Sequence, residues 1–254
     1  MTSPQAKSVL VVGATGATGR HVVAQLLRSD ENHTVKVIAR SADKMRDILS
    51  KLGVPENSRL QITQAALLEL TDKELQQQTA DVDVVVSCLG HTMDWNGIYG
   101  HPRELVTDAT RRLTNALIEN KNKNAKFILM GSDGVAFEGN DDIRPFYERL
   151  LISLIRYMIP PHRDNEGAAA YLLSQRDGME WVIVRPTDLV DEAPSATYQL
   201  YPKPQGSLFG SGTATRSHVA KAMVELITSA SLWNQWKFKM PVLVDDPAET
   251  KKAK

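Results

Sequence analysis

The sequence predicts an α/β fold, a doubly wound parallel sheet with helices on both faces, and three observations predict it. The first is a continuous apolar run at Val9–Val12, followed at once by a turn rich in glycine. The second is the helical spacing of apolar residues directly after that turn. The third is the alternation of strand-like and helix-like stretches along the rest of the chain. A chain of 254 residues can bury one large core, so we expect a single domain over residues 1–254.

The remaining elements are expected in alternating order. Strands should follow the turn at Thr34–Ala39, Leu60–Thr63, Val82–Leu89, Ala125–Met130, Trp181–Val184 and Met240–Val244. Helices should lie over Asp72–Gln78, capped by Thr71, then over Arg103–Asn120, Phe146–Met158 and Asp164–Arg176, with a last long helix opening at Thr215–Ala220. Ser217 is the expected N-cap of that last helix.

Composition excludes several classes of function. The 30 basic and 30 acidic side chains cancel, so neither nucleic acid nor a membrane surface is an expected partner. The single cysteine, Cys88, excludes an intramolecular disulfide and is expected in the core of a protein from a reducing compartment. The first seven residues, MTSPQAK, lack the apolar segment of a secretory signal, and no apolar run in the sequence approaches the length of a membrane span. We therefore expect a soluble, cytoplasmic protein.

The glycine turn carries the first functional signal. Gly13, Gly16 and Gly19 have the spacing G-x-x-G-x-x-G between the first strand and a helix expected to open near Ala17. The free N–H groups and the positive dipole end of such a helix favour a pyrophosphate. The alternative is a tight turn between buried elements. The expected cofactor contacts here are Gly13, Thr15, Gly16, Ala17, Thr18 and Gly19.

The end of the second strand indicates which dinucleotide is bound. An acidic residue at this point would accept hydrogen bonds from the ribose of NAD, but the residue is Arg40, whose guanidinium suits a 2′-phosphate. Ser41 and Lys44 follow and are expected to contact the same phosphate. NADP(H) is therefore the expected cofactor. The alternative is that Arg40, Lys44 and Arg46 form a solvated helix face.

Leu89 and Gly90 stand at the carboxyl end of the fourth strand. We expect them to line the cofactor, because ligands bind outside the carboxyl ends of parallel strands. The loop 91–102 should then cover the site. In that loop Trp95 and Tyr99 either wall a substrate pocket or anchor the loop.

A metal site is a further possibility in the same loop. His91, Asp94 and His101 are metal-ligating residue types, but their spacing matches no familiar ligand motif. We expect no metal there.

The turn, which reads GATGATGR, resembles that of the extended and atypical short-chain dehydrogenase/reductase proteins, whose turn reads GATGxxG. The strand that ends in Arg185-Pro186 is similar to a strand of the same atypical members, and the stretch TRSHVA at 215–220 is similar to one in NmrA-like proteins. The resemblance implies a Rossmann fold and an NAD(P) cofactor. It also implies that Ser132 polarises a substrate carbonyl and that Arg185, Pro186 and Thr187 lie near the nicotinamide.

The sequence departs from this family at the catalytic pair. No tyrosine is followed by a lysine four residues later, and the place of the Tyr-x-x-x-Lys motif falls on Pro161–Asn165. There His162 is either a proton donor, with Arg163 to bind an anion, or a satisfied polar residue under the cofactor. The candidate catalytic residues are Ser132, His162 and Tyr99.

The segments expected on the substrate side are residues 91–102, 133–145 and 187–216, of which 194–212 should be an irregular loop. The apolar helix at 146–158 is either an oligomer interface or core packing, so we expect a monomer or a homodimer. Residues 250–254 should form a disordered basic tail.

The leading functional hypothesis is an NADPH-dependent oxidoreductase of the atypical short-chain type, which reduces a small organic substrate by hydride transfer. The alternative is an NmrA-like regulatory protein that senses the ratio of NADPH to NADP and has no catalytic activity. A sugar-nucleotide epimerase is less favoured, because the chain offers little length for an additional substrate domain.

Overall fold

The computed structural model describes residues 6–91, 95, 99–121, 124–135, 147–148, 151, 160–175, 179–191, 197–206 and 212–246. The strands are β1 (Ser8–Val12), β2 (Thr34–Ala39), β3 (Leu60–Gln64), β4 (Val84–Ser87), β5 (Lys126–Met130), β6 (Glu180–Pro186), β7 (Asp188–Val190), β8 (Tyr198–Tyr201), β9 (Thr213–Thr215) and β10 (Val242–Asp245). The α-helices within these residues are α1 (Gly19–Arg28), α2 (Ala42–Lys51), α3 (Asp72–Thr79), α4 (Leu105–Glu119), α5 (Pro160–Ser174), α6 (Arg216–Thr228) and α7 (Ala230–Trp236).

The central sheet has eight strands in the order β3-β2-β1-β4-β5-β6-β10-β8. Its neighbouring strands are parallel, apart from β8, which runs antiparallel to β10. β7 and β9 form a separate parallel pair. The predicted doubly wound parallel sheet is confirmed.

Helices cover both faces of the sheet, as the alternation of β1 shows. Val9 and Val11 point to a core shared with α1, α2 and α6, whereas Leu10 and Val12 point to a core shared with α3, α4 and α5. All four side chains are at most 1% exposed. A strand covered on both faces must be apolar throughout, which explains the unbroken run that predicted it.

Several helix starts differ from the prediction. α5 begins at Pro160 rather than Asp164, and α4 begins at Leu105 rather than Arg103. α1 begins at Gly19 rather than near Ala17, because the turn continues through Thr18. The N-cap of α6 is Thr215, not Ser217, which lies inside the first turn. The carboxylate of Asp245 accepts the backbone N–H of Thr215 at 2.9 Å, so a residue remote in sequence satisfies this helix end.

The expected irregular loop at 194–212 is wrong in part, since it contains β8. This strand is formed by pairing with β10, over forty residues further along, in the register Val242↔Tyr201. The residues around β8 therefore contain no signal that predicts its pairing with β10.

Several predictions fall on residues outside the described ranges. They are Asp94, most of the helix 146–158 apart from Tyr147, Glu148 and Leu151, most of the segment 133–145, and the tail 250–254. Among the residues that the structure describes, no helix combines the length and the apolar character that a membrane crossing requires.

Candidate functional site

The glycine turn packs against the end of β4. Gly13 has φ +73°, and a β-carbon on it would lie 2.5 Å from the carbonyl carbon and oxygen of Cys88. A β-carbon on Gly19 would in turn collide with the carbonyl oxygen of Gly13. The amide of Gly16 donates to that same oxygen at 2.9 Å, which closes the turn. Gly13 and Gly19 therefore allow backbone segments to touch, and only Gly16 stands exposed.

The N-terminus of α1 is open to a ligand. Thr18, at the N-cap, makes no side-chain hydrogen bond to the helix, and no acidic residue stands in the first turn. The amides of Arg20 and His21 donate to the carbonyls of Gly16 and Thr18 at 3.2 and 2.9 Å, and no carboxylate of the first turn offsets the positive end of the helix dipole. This turn fits the pyrophosphate of a dinucleotide.

The residues after β2 form a second cradle. Ser41 caps α2, with its hydroxyl oxygen accepting the Lys44 amide at 3.1 Å, so its own proton can still be donated. Arg40 and Lys44 are exposed, and neither forms an ion pair with a described carboxylate. Arg46, by contrast, pairs with Asp43 at 3.2 Å. The alternative of a solvated helix face therefore fits Arg46 better than Arg40.

The end of β4 lies beside the turn, because the Cys88 amide bonds to the carbonyl of Val12 at 3.0 Å. Leu89 packs against the core, and Gly90 is exposed, with no atom within 4 Å of the place of a β-carbon. Both residues stand at the expected edge. Burial raises the pKa of the Cys88 thiol to about 12, as expected for an unreactive core cysteine.

Ser132 and His162 come together around Gly134. The place of a β-carbon on Gly134 lies 3.7 Å from Ser132 Oγ, 3.7 Å from His162 Nδ1 and 3.2 Å from His162 Cε1. The Gly134 amide donates to Ser132 Oγ at 3.3 Å. Two of the three candidate catalytic residues are thus neighbours, although their chemical roles stay predictions.

His162 lies in the first turn of α5, next to Pro161. Its Nε2 is buried, makes no hydrogen bond to a described residue, and stands 3.4 Å from Glu166 Oε1. The expected place of the Tyr-x-x-x-Lys pair is held by Pro161, which is buried, and by Asn165, which is half-buried. The helix of the missing pair is therefore present with other side chains.

Tyr99, the third candidate, is 42% exposed. Its ring packs on Trp95 with the centroids 4.7 Å apart, and Trp95 is 77% exposed. This contact agrees with a loop anchored by aromatic stacking as well as with an open pocket wall.

Arg185 is a structural residue. It is fully buried and donates from Nε to the carbonyl of Met240 and from Nη1 to the carbonyl of Val135, both at 2.8 Å. Pro186 follows, and its carbonyl accepts the Asp133 amide at 3.1 Å. The guanidinium of Arg185 contacts the carbonyls of Met240 and Val135, and the expected location of Arg185 near the nicotinamide stays a prediction. The guanidinium ties β6 to the loop after β5.

The sequence interpretation missed a buried pair at this edge. His91 Nε2 lies 2.8 Å from Asp164 Oδ2, and the same carboxylate accepts the amides of Val106 at 2.8 Å and Thr107 at 2.9 Å. The sequence predicts Asp164 at the start of its own helix, but its carboxylate accepts two amides at the start of α4. No local signal reveals this, because His91 and Asp164 are far apart in sequence. Within the described residues no three His, Cys, Asp or Glu side chains form a metal-binding group.

Comparison with known proteins gives the family. A family model described as NAD(P)H-binding matches residues 13–230. An uncharacterised chloroplastic protein of Arabidopsis thaliana is 27% identical over 241 residues, 94% of this chain and 76% of that protein. The chloroplastic divinyl chlorophyllide a 8-vinyl-reductase of the same plant is 31% identical over 134 residues, 51% of this chain and 30% of that protein.

Among solved structures, a short-chain dehydrogenase/reductase from Veillonella parvula in complex with NADP superimposes with a TM-score of 0.68. The match covers 97% of this chain and 98% of that chain, at 16% identity, so it shows the shared fold. The family model spans most of the sequence and includes the glycine turn, β2 and the edge that carries Gly90 and Ser132. The chain therefore belongs to the NAD(P)H-binding family of Rossmann-fold proteins.

Proposed function

We propose that the protein is an NADP(H)-dependent oxidoreductase that reduces a small organic acceptor. The observation that carries the proposal is the guanidinium of Arg40, exposed at the end of β2 and without an ion pair to any described carboxylate. An unpaired guanidinium beside the hydroxyl of Ser41 and the ammonium of Lys44 suits a dianionic 2′-phosphate. NADP(H) is therefore favoured over NAD(H).

The residues of the chain bind and orient the dinucleotide and the acceptor. The turn from Gly13 to Gly19 holds the pyrophosphate, and Gly90 leaves room for the cofactor to pass. When bound, the reduced dinucleotide supplies a hydride. Ser132 Oγ and the imidazole of His162, which face the same point above Gly134, hold the atom of the acceptor that becomes electron-rich.

Two of the comparison proteins support this assignment. One carries the name of a reductase, and the other is a short-chain dehydrogenase/reductase solved with NADP. We also propose that the protein acts in the cytoplasm on a small molecule, as a monomer or homodimer. Its balanced charge supports the absence of a nucleic-acid partner. Analytical ultracentrifugation of the purified protein tests the oligomeric state.

A second function is favoured by one observation, the replacement of the Tyr-x-x-x-Lys pair by Pro161 and Asn165 in the sequence. A protein that binds NADP(H) without this pair suits an NmrA-like sensor of the NADPH to NADP ratio. Such a sensor must bind the two redox forms with different affinity, since a ligand shifts an equilibrium only by its differential affinity.

Calorimetric titration tests the cofactor assignment. We expect Arg40→Ala to weaken NADPH binding by about 10- to 100-fold, the loss of a charge-assisted phosphate contact, and to leave NADH binding unchanged. Arg46→Ala is the matched control, because Arg46 lies on the next helix turn and is paired with Asp43. Equal losses in the two variants, or no dinucleotide binding at all, would contradict the assignment.

Turnover separates the two functions. Oxidation of NADPH in the presence of an aldehyde, quinone, flavin or tetrapyrrole acceptor supports the oxidoreductase. Tight NADPH binding without turnover of any acceptor, together with a clear difference in affinity between NADPH and NADP, supports the sensor.

A further inference from the structure

We propose that His91, held in place by Asp164, donates the proton that completes the reduction. This inference rests on the proposed function and identifies the proton donor of that site. It also explains how the site can work without the Tyr-x-x-x-Lys pair.

The imidazole of His91 has a fixed orientation. Its Nε2 lies 2.8 Å from Asp164 Oδ2, and the two side chains are 6% and 0% exposed. The carboxylate is itself held by the amides of Val106 and Thr107 at the start of α4, and the Thr107 hydroxyl donates to the carbonyl of Asp164 at 2.8 Å. A carboxylate so restrained fixes the Nε2–H tautomer and stabilises the imidazolium.

His91 lies at the edge of the sheet where the carboxyl ends of β4 and β5 meet and where the reaction is expected. β4 and β5 are neighbours in the register Ser87↔Leu129, so Gly90 and Ser132, each three residues further on, leave the sheet side by side. His91 directly follows Gly90, which faces open space. His91 therefore lies at the same edge of the sheet as Ser132.

The second ring nitrogen is available. Since Nε2 is engaged by Asp164, a ligand can meet His91 only through Nδ1, which makes no hydrogen bond to a described residue. The other candidates are less suitable as proton donors. His162 Nε2 is buried beside Glu166, and the ring of Tyr99 is stacked on exposed Trp95.

The chemistry balances with one hydride and one proton. The acceptor carbon gains the hydride, its double bond opens, and the atom that receives the electron pair takes the proton from Nδ1 of the His91 imidazolium, in which both ring nitrogens carry a proton. The neutral imidazole then recovers a proton from water, and the reduced product and oxidised dinucleotide leave. Asp164 holds the imidazole in place and acts as a positioning residue.

The chain contains a matched control for the structural cost of removing such a pair. His218 Nδ1 lies 2.9 Å from Asp245 Oδ1, both side chains are buried, and Asp245 Oδ2 accepts the Thr215 amide at the start of α6. His218 lies on α6 and Asp245 on β10, which β5 and β6 separate from β4. His218→Ala therefore removes the same kind of contact at a distance from Gly90.

Steady-state turnover with NADPH and the best acceptor of the panel tests the proposal. We expect His91→Ala to lower kcat by about 100- to 10,000-fold while the NADPH dissociation constant changes less than about threefold. Added imidazole should restore part of the lost kcat, which a structural defect would not permit. His218→Ala should keep the wild-type kcat and show no response to imidazole. Unchanged kcat in His91→Ala, or a fall in kcat that imidazole does not restore, overturns the proposal.

A second measurement keeps the two proposals separable. If the wild-type protein reduces no acceptor, the oxidoreductase assignment fails, and nuclear magnetic resonance of ¹⁵N-histidine-labelled protein decides the role of His91. On addition of NADP, the Nδ1 resonance of His91, assigned from His91→Ala, should shift while the resonances of His218 do not. An unmoved His91 Nδ1 resonance excludes contact with the site and overturns the inference.

Discussion

Gly13 and Cys88 are in backbone contact: a β-carbon on Gly13 would lie 2.5 Å from the carbonyl of Cys88, and Gly13 has φ +73°. Both conditions penalise any other residue, because the left-handed backbone is strained and the obstacle is backbone rather than a movable side chain. We expect Gly13→Ala to lower the free energy of unfolding by about 2 kcal/mol or more and to weaken NADPH binding. Urea denaturation and calorimetry measure the two effects.

Gly90→Ala is the control for this prediction. Among the described residues other than its chain neighbours, no atom lies within 4 Å of the added methyl group, so the free energy of unfolding should change by no more than about 0.5 kcal/mol. If Gly90 lines the cofactor, the same variant should still weaken NADPH binding. A Gly13→Ala protein as stable as Gly90→Ala would show that the turn can move away from β4.

Gly167 lets α5 approach α4. A β-carbon on Gly167 would lie 2.6 Å from Thr107 Oγ1, and this hydroxyl also donates to the carbonyl of Asp164. We expect Gly167→Ala to destabilise the protein by about 1 to 3 kcal/mol, even though alanine is the better helix former. Thermal or urea unfolding of the variant measures the cost.

The double variant Gly167→Ala/Thr107→Ala isolates the collision, because Thr107→Ala removes the hydroxyl that stands in the way. Its loss of stability should be smaller than the sum of the two single losses by about 0.5 kcal/mol or more. Strict additivity would mean that the helices separate rather than collide.

The elements predicted from sequence are those with local signals. The apolar run of β1, the glycine turn and the spacing of α1 each depend on residues close together in the chain, and the structure reproduces them within two residues. Arg40 could be singled out for the same reason, since its place is fixed by the end of β2.

The elements that sequence analysis missed depend on remote partners. β8 exists because β10 pairs with it, and the start of α6 is set by Asp245. The sequence indicates only that Asp164 belongs to its own helix. In the structure its carboxylate also accepts an amide of α4 and contacts His91. Hydrogen bonds between residues far apart in the chain produce no periodic pattern in the sequence, so sequence analysis cannot predict them.

The strand that ends in Arg185-Pro186 shows a different limit of sequence analysis. The sequence predicts the strand, but it does not predict the partners of the guanidinium. A fully buried arginine must give its donors to acceptors, and the carbonyls of Met240 and Val135 supply them inside the protein. A charged residue at a strand end can therefore hold the site together without facing it.

His33 makes the stability depend on pH. Its side chain is fully buried, its Nδ1 accepts the Lys7 amide at 3.1 Å, and its Nε2 lies 2.9 Å from Glu31 Oε2. Burial lowers the pKa of His33, and the charge of Glu31 only partly opposes this. Because the unfolded chain keeps a histidine pKa of about 6.5, it binds more protons than the folded protein in mildly acidic solution.

The sign of the effect follows. The free energy of unfolding should be highest above about pH 6.5 and should fall as the pH drops through that value, by at most about 1.4 kcal/mol per pH unit and proton. His33→Gln should flatten this slope between about pH 7.5 and 5.5. His21→Gln should flatten it less, because the imidazole of His21, whose pKa is also lowered by burial and by Arg20, is partly exposed.

The carboxylates Glu74 and Asp81 do not contribute to the slope of the free energy of unfolding between about pH 7.5 and 5.5. Hydrogen bonds from Thr71 lower the pKa of Glu74, and the ammonium of Lys36 lowers that of Asp81. Their contributions are therefore lost only below about pH 4.5, where unfolded carboxylates begin to protonate. Urea unfolding of wild type and the two variants at both ends of the interval makes the measurement. Equal slopes for wild type and His33→Gln would mean that His33 takes up its proton as readily in the folded protein as in the unfolded chain.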